Sequence, residues 1–140
     1  MVKVSMKYQL TLIRQKDLTK PLVPLYSTIR SVRTPNLFFV PPGAHEQEAT
    51  FEFPFNGRIH FLGTHIHPYG ESIELYDLAR NRSIWKGVRK KSGDQMEVYS
   101  SKEGYAFRTG ERLRLTSTYN NPTGHWIDAM AGLFIFFSKE

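Results

Sequence analysis

The stretch Phe51-Glu52-Phe53-Pro54-Phe55-Asn56-Gly57-Arg58-Ile59-His60-Phe61-Leu62-Gly63-Thr64-His65-Ile66-His67 carries the clearest structural signal in the chain. Phe51, Phe53 and Phe55 fall on every second residue, the spacing that puts side chains on one face of a β-strand. Asn56-Gly57 has the composition of a tight turn, since both residues tolerate the positive φ that such turns need. A strand over 58–67 follows directly, so the segment predicts a hairpin. In that strand regular alternation puts Ile59, Phe61, Gly63, His65 and His67 on one face. His60 shares the other with Leu62, Thr64 and Ile66, and points away from the histidine pair unless Gly63 makes a bulge.

The same period recurs outward from this segment. Val2, Val4, Met6, Tyr8, Leu10 and Leu12 alternate with mostly polar neighbours, and a short apolar strand over 36–40 stops at Pro41-Pro42-Gly43. Further strands are predicted over 72–78, 83–88, 95–99, 112–119 and 132–137, with turns at Asn81-Arg82 and Ser92-Gly93-Asp94. No segment keeps a long 3.6-residue apolar period. Eight or nine short strands predict an all-β protein, an antiparallel β-sandwich of the jelly-roll or a related Greek-key kind. At 140 residues the chain is expected to form one domain, 1–140.

Composition excludes several classes of function. With 40% hydrophobic and 23% charged residues, the chain can build a core and is not of the disordered type. The longest apolar run, over 129–137, is too short to span a bilayer, and the first residues lack the unbroken apolar stretch of a signal peptide. Cysteine is absent, which removes disulfides, thiolate metal sites and a cysteine nucleophile. The net charge of +6 admits an anionic partner. Its one dense cluster, Lys86, Arg89, Lys90 and Lys91, reads as a solvated hairpin, and no nucleic-acid motif accompanies it. No phosphate-binding loop, serine-hydrolase elbow or zincin helix is present.

The chemistry concentrates in Gly63-Thr64-His65-Ile66-His67-Pro68-Tyr69-Gly70 and in the later Asp128-Ala129-Met130. Two imidazoles side by side suit several transition metals, and a thioether beside them shifts the preference to copper, above all copper(I). A His-x-His pair alone also occurs as core hydrogen-bonding groups, and a lone methionine is usually core filler. Pro68-Tyr69-Gly70 ends the strand after His67 and puts the pair at a sandwich rim. Of the remaining candidates, His45 sits between Pro/Gly residues and Glu46 and reads as a solvated loop residue. His125, beside Trp126, reads as an entrance or surface residue. Asp128 is suited to accept a hydrogen bond from a ligand imidazole, and Tyr69 and Tyr119 to border the site. Glu71, Glu74 and Asp77 are explained by an exposed strand face.

These segments, together with Arg112-Leu-Arg-Leu-Thr-Ser-Thr-Tyr-Asn-Asn-Pro-Thr-Gly124, resemble the C-terminal copper domain of the ascorbate-dependent type II copper monooxygenases. That family includes peptidylglycine α-hydroxylating monooxygenase and dopamine β-monooxygenase, and the likeness extends to small stand-alone bacterial relatives. It covers Ile59 to Phe137, with Thr116-Ser-Thr-Tyr-Asn120 matching a Thr-x-x-Tyr-Asn strand. The resemblance implies one copper ion held by His65, His67 and Met130, an external reductant or copper donor as partner, and an extracytoplasmic setting. It does not carry hydroxylase activity over, because the family's enzymes use a second copper domain for which this chain has no room. The alternative is a cupin-like protein holding iron, manganese or zinc through His65, His67, Glu71 and His125. Against it, the glycines of both cupin motifs are out of register.

Overall fold

The computed structural model describes residues 21–29, 37–90 and 96–140. They form ten strands and no helix: β1 (Val23–Thr28), β2 (Phe38–Val40), β3 (Gly43–Glu52), β4 (Gly57–Ile66), β5 (Gly70–Asp77), β6 (Arg82–Val88), β7 (Tyr99–Phe107), β8 (Arg112–Asn121), β9 (Ile127–Ala129) and β10 (Ala131–Lys139). One sheet runs β1-β10-β4-β7 and the other β3-β8-β5-β6, while β2 pairs with β9 as a short ribbon. Every pairing is antiparallel. The chain is an all-β antiparallel sandwich, as its period-two pattern predicts. Among the described residues no helix is long and apolar enough to cross a membrane.

The core lies between the sheets. Leu62 of β4 and Leu133 and Ile135 of β10 meet Ile73 and Leu75 of β5 and Leu113 and Leu115 of β8, all fully buried. Each such side chain contributes about 1.5–3 kcal/mol by leaving water.

The expected hairpin around Asn56-Gly57 does not form. β3 pairs with β8 and β4 pairs with β10 and β7, so the 53–56 segment crosses from one sheet to the other. Phe53 is drawn into the core and stacks on Phe107 at 4.1 Å, and Pro54 has no N–H to donate to a ladder. Asn56 ties the crossing down by accepting the Thr109 amide at 3.0 Å through Oδ1.

Strand parity is corrected too. A register shift between Ile59 and Phe61 places Ile59 in the core and Phe61 on the outer face, and the break is there rather than at Gly63. Of the strand expected over 95–99, Gln95 lies outside the described residues and Tyr99 opens β7, which reaches Phe107 through the positive φ of Gly104 (73°). The expected strand over 2–12, Asn36, Lys91 and the Ser92-Gly93-Asp94 turn lie outside the described residues.

At the far end of β5, Asp77 is fully buried rather than on an exposed face. Its Oδ2 accepts from the Tyr105 hydroxyl at 2.7 Å and the Arg80 guanidinium at 2.5 Å, and its Oδ1 accepts from the Arg80 amide at 2.9 Å. Arg80 continues to Glu111 through two further bonds of 2.9 and 3.0 Å. Burial pushes the Asp77 carboxyl upward, but the hydrogen bonds from Tyr105 and Arg80 outweigh it and hold the group below the usual carboxylate value.

Candidate metal centre

The β4–β10 register assembles the candidate donors. Ile66 faces Ala131 and His65 faces Gly132, and one step further the His67 amide donates to the Met130 carbonyl at 3.1 Å. His65 lies on the outer face of its sheet, opposite in parity to buried Leu62. The His65 and His67 rings stand 5.4 Å apart, nearly perpendicular (86°), the geometry expected of imidazoles two residues apart in a strand.

The Met130 side chain is met by one from β1. Tyr26 pairs with Phe134 and lies on the same outer face, with ring centroids 4.8 Å apart. Its ring occupies the space above Gly132, where a Cβ would collide with the phenol. Its hydroxyl donates to the Met130 Sδ at 3.6 Å. The thioether therefore lies against the phenol that covers Gly132, and Gly132 is the cross-strand neighbour of His65. Asp128 Oδ2 is 3.5 Å from His67 Nδ1, which leaves Nε2 as the free donor of that ring. The ring nitrogens of His65 have no hydrogen-bond partner among the described residues.

The backbone beneath the donors is pinned from several directions. Tyr119, buried on β8, donates its hydroxyl to the Met130 carbonyl at 2.6 Å and accepts the His67 amide at 3.3 Å. Burial pushes its phenol up to about 12. His67 to Gly70 closes a turn through the Gly70 amide and the His67 carbonyl (3.2 Å), with Pro68 second and Tyr69 third at a φ of 68°. A positive φ there is the type II arrangement, in which glycine is the usual residue. Tyr69 is held in it by the Asn120 amide, which donates to its carbonyl at 2.9 Å. The Arg89 guanidinium donates to the carbonyls of Gly70 at 2.6 Å and His67 at 2.9 Å. Asn121 secures the loop leading to Met130, donating to the His125 carbonyl at 2.7 Å and accepting from Thr123.

His60 is apart from the pair, buried between the Ser101 carbonyl (3.1 Å) and the Ser138 hydroxyl (3.0 Å). His45 is not a solvated loop residue. It lies in β3, half-buried and paired with Tyr119, with its Nε2 buried and, among the described residues, without a hydrogen-bond partner. The cupin-type set is not brought together. Among the described residues no three His, Asp or Glu side chains converge on a metal position. Glu71 faces a depression of about 660 Å³ with His45, Glu46 and Lys86, whereas His65 borders a different one of about 660 Å³ with Thr64, Ile66, Pro68 and Arg89. His125 stays in its own loop, its Nδ1 3.0 Å from the Thr123 carbonyl.

Two contributors escape the sequence reading, Tyr26 and the clamp of Arg89. Pro24 argues against a strand around Tyr26, yet proline is tolerated in an edge strand, which β1 is. Compared with known proteins, the chain matches no family model and no curated protein sequence.

The donor set suits copper on its own chemistry. Two imidazoles and a thioether are soft to intermediate ligands, and among the described residues no carboxylate cluster favours a hard cation.

Proposed function

We propose that the chain binds one copper ion through His65, His67 and Met130 at the rim of the sandwich. The observation that supports this reading is the cross-strand backbone hydrogen bond between His67 and Met130, which makes a methionine from far along the chain a neighbour of the histidine strand. In this reading the thioether is the weak ligand that favours the reduced ion, and a coordination position stays open. Bound copper would supply one-electron redox chemistry and an acceptor site for a small oxygen species or ligand. Asp128 orients the His67 ring, and Tyr119 and Arg89 fix the backbone on which it stands.

The likeness to the methionine-containing domain of the ascorbate-dependent copper monooxygenases belongs to the same reading, with an external reductant or copper donor as the partner. A single site of this kind supports copper binding first and oxygen activation second. The same reading takes the two sheet orders as a jelly-roll wrapping.

Anaerobic Cu(I) titration against a chromophoric chelator tests the assignment. Wild-type protein is expected to take up one copper, His67→Ala to lose more than about 100-fold in affinity, and Met130→Leu to keep a weaker site with less preference for Cu(I). Equal copper uptake by all three proteins rejects it.

A further inference from the structure

We infer that Tyr26 is a positioning residue that fixes the Met130 thioether for the metal, an inference that rests on the copper reading above. Methionine has three rotatable side-chain bonds and, at the half-buried Met130, no close-packed core to choose among its rotamers. The Tyr26 hydroxyl supplies that choice by donating to Sδ at 3.6 Å, which engages one sulfur lone pair and leaves the other for a metal.

The phenol itself is held in place. Its ring is tilted against Phe134 at 4.8 Å and rests on the bare backbone of Gly132. Any side chain at position 132 would expel it. Gly132 faces His65 across the ladder, so the residue that admits the phenol also sets its place beside the histidine pair. A thioether already engaged by a donor is a poorer electron donor, so Tyr26 both orders Met130 and weakens its hold on the metal.

The test follows the methyl resonance of ¹³C-labelled Met130 alongside Cu(I) affinity in wild type, Tyr26→Phe and Gly132→Ala. In wild type the methyl is expected to hold a single ordered environment without metal and to shift on Cu(I) addition. In Tyr26→Phe, which keeps the ring and loses only the donor, the metal-free resonance is expected to move towards the averaged methionine position. Its Cu(I) affinity is expected to change roughly 3- to 10-fold with one copper still bound. Gly132→Ala, which keeps the hydroxyl and displaces the ring, is expected to reproduce both effects. A Tyr26→Phe protein with wild-type methyl position and affinity, beside a wild type that responds to Cu(I), overturns this inference alone. A wild-type methyl that ignores Cu(I) overturns the copper reading and this inference with it, whatever the substitutions do.

Discussion

The two ends of β5 carry polar clusters of opposite design. At Asp77 every polar group serves another: the buried carboxylate accepts three hydrogen bonds, and Arg80 passes its charge on to Glu111. At Gly70 the hydrogen bonds are spent on backbone. Tyr119, Arg89 and Asn120 hold the carbonyls and amides of His67, Tyr69, Gly70 and Met130, while the His65 ring nitrogens have no hydrogen-bond partner among the described residues. The first arrangement holds the fold together, and on the copper reading the second holds donors for a metal. Rigid backbone under side chains that keep a donor atom to spare is what the proposed site requires.

Substitutions at the two ends test that difference. The largest effect is expected from Asp77→Ala, which removes the acceptor of the buried Tyr105 hydroxyl and leaves Arg80 with Glu111 alone. It should cost about 3–5 kcal/mol in urea unfolding and leave Cu(I) affinity per folded molecule unchanged. A milder loss would mean that the knot is replaceable.

Tyr119→Phe is expected to cost about 1–3 kcal/mol, because it removes the hydroxyl shared by Met130 and His67. Unlike the Asp77 substitution, it should also weaken Cu(I) binding. An effect on stability alone would break the proposed division between the ends.

The same two residues set opposite pH limits. Below the ordinary carboxylate value of 3.8 the unfolded chain takes up a proton that folded Asp77 resists, so stability falls as pH drops through that value towards the depressed folded one. Tyr119 works in reverse: the unfolded phenol ionises near 10 while the folded one keeps its proton to about 12, so stability falls as pH rises through that interval. Denaturation midpoints across pH should show Asp77→Asn flattening the acid limb and Tyr119→Phe flattening the alkaline limb. The smallest change is expected at Tyr69. Glycine there relieves the positive φ but gains freedom when unfolded, so Tyr69→Gly should lie within about 1 kcal/mol of wild type, on the stabilising side.

The sandwich was legible because β8 alternates cleanly: Leu113, Leu115 and Ser117 face inward between polar, less buried neighbours. The edge strands were hard to read for a physical reason. β3 buries His45 and Gln47 only in part, so its alternation has little hydrophobic contrast, and β1 contains Pro24. The false hairpin at Asn56-Gly57 arose because a crossing between sheets uses the same small turn residues, and only the burial of Phe53 distinguishes the two. His65 and His67 could be named as candidates from strand alternation, and Met130 from the resemblance. Tyr26 could not, because its place depends on the register of β1 against β10 and on the missing side chain of Gly132.

The cross-strand bond between His67 and Met130 joins residues 63 positions apart in sequence. Contacts of that span close late in folding, after the loop entropy between them has been overcome. A metal ion meeting the nascent chain would find only two neighbouring histidines, a weak and unselective chelate. On the copper reading the third donor comes only with the finished sheet, so the ion is expected to be taken up by the folded protein and to slow its unfolding, without serving as the template on which the chain folds.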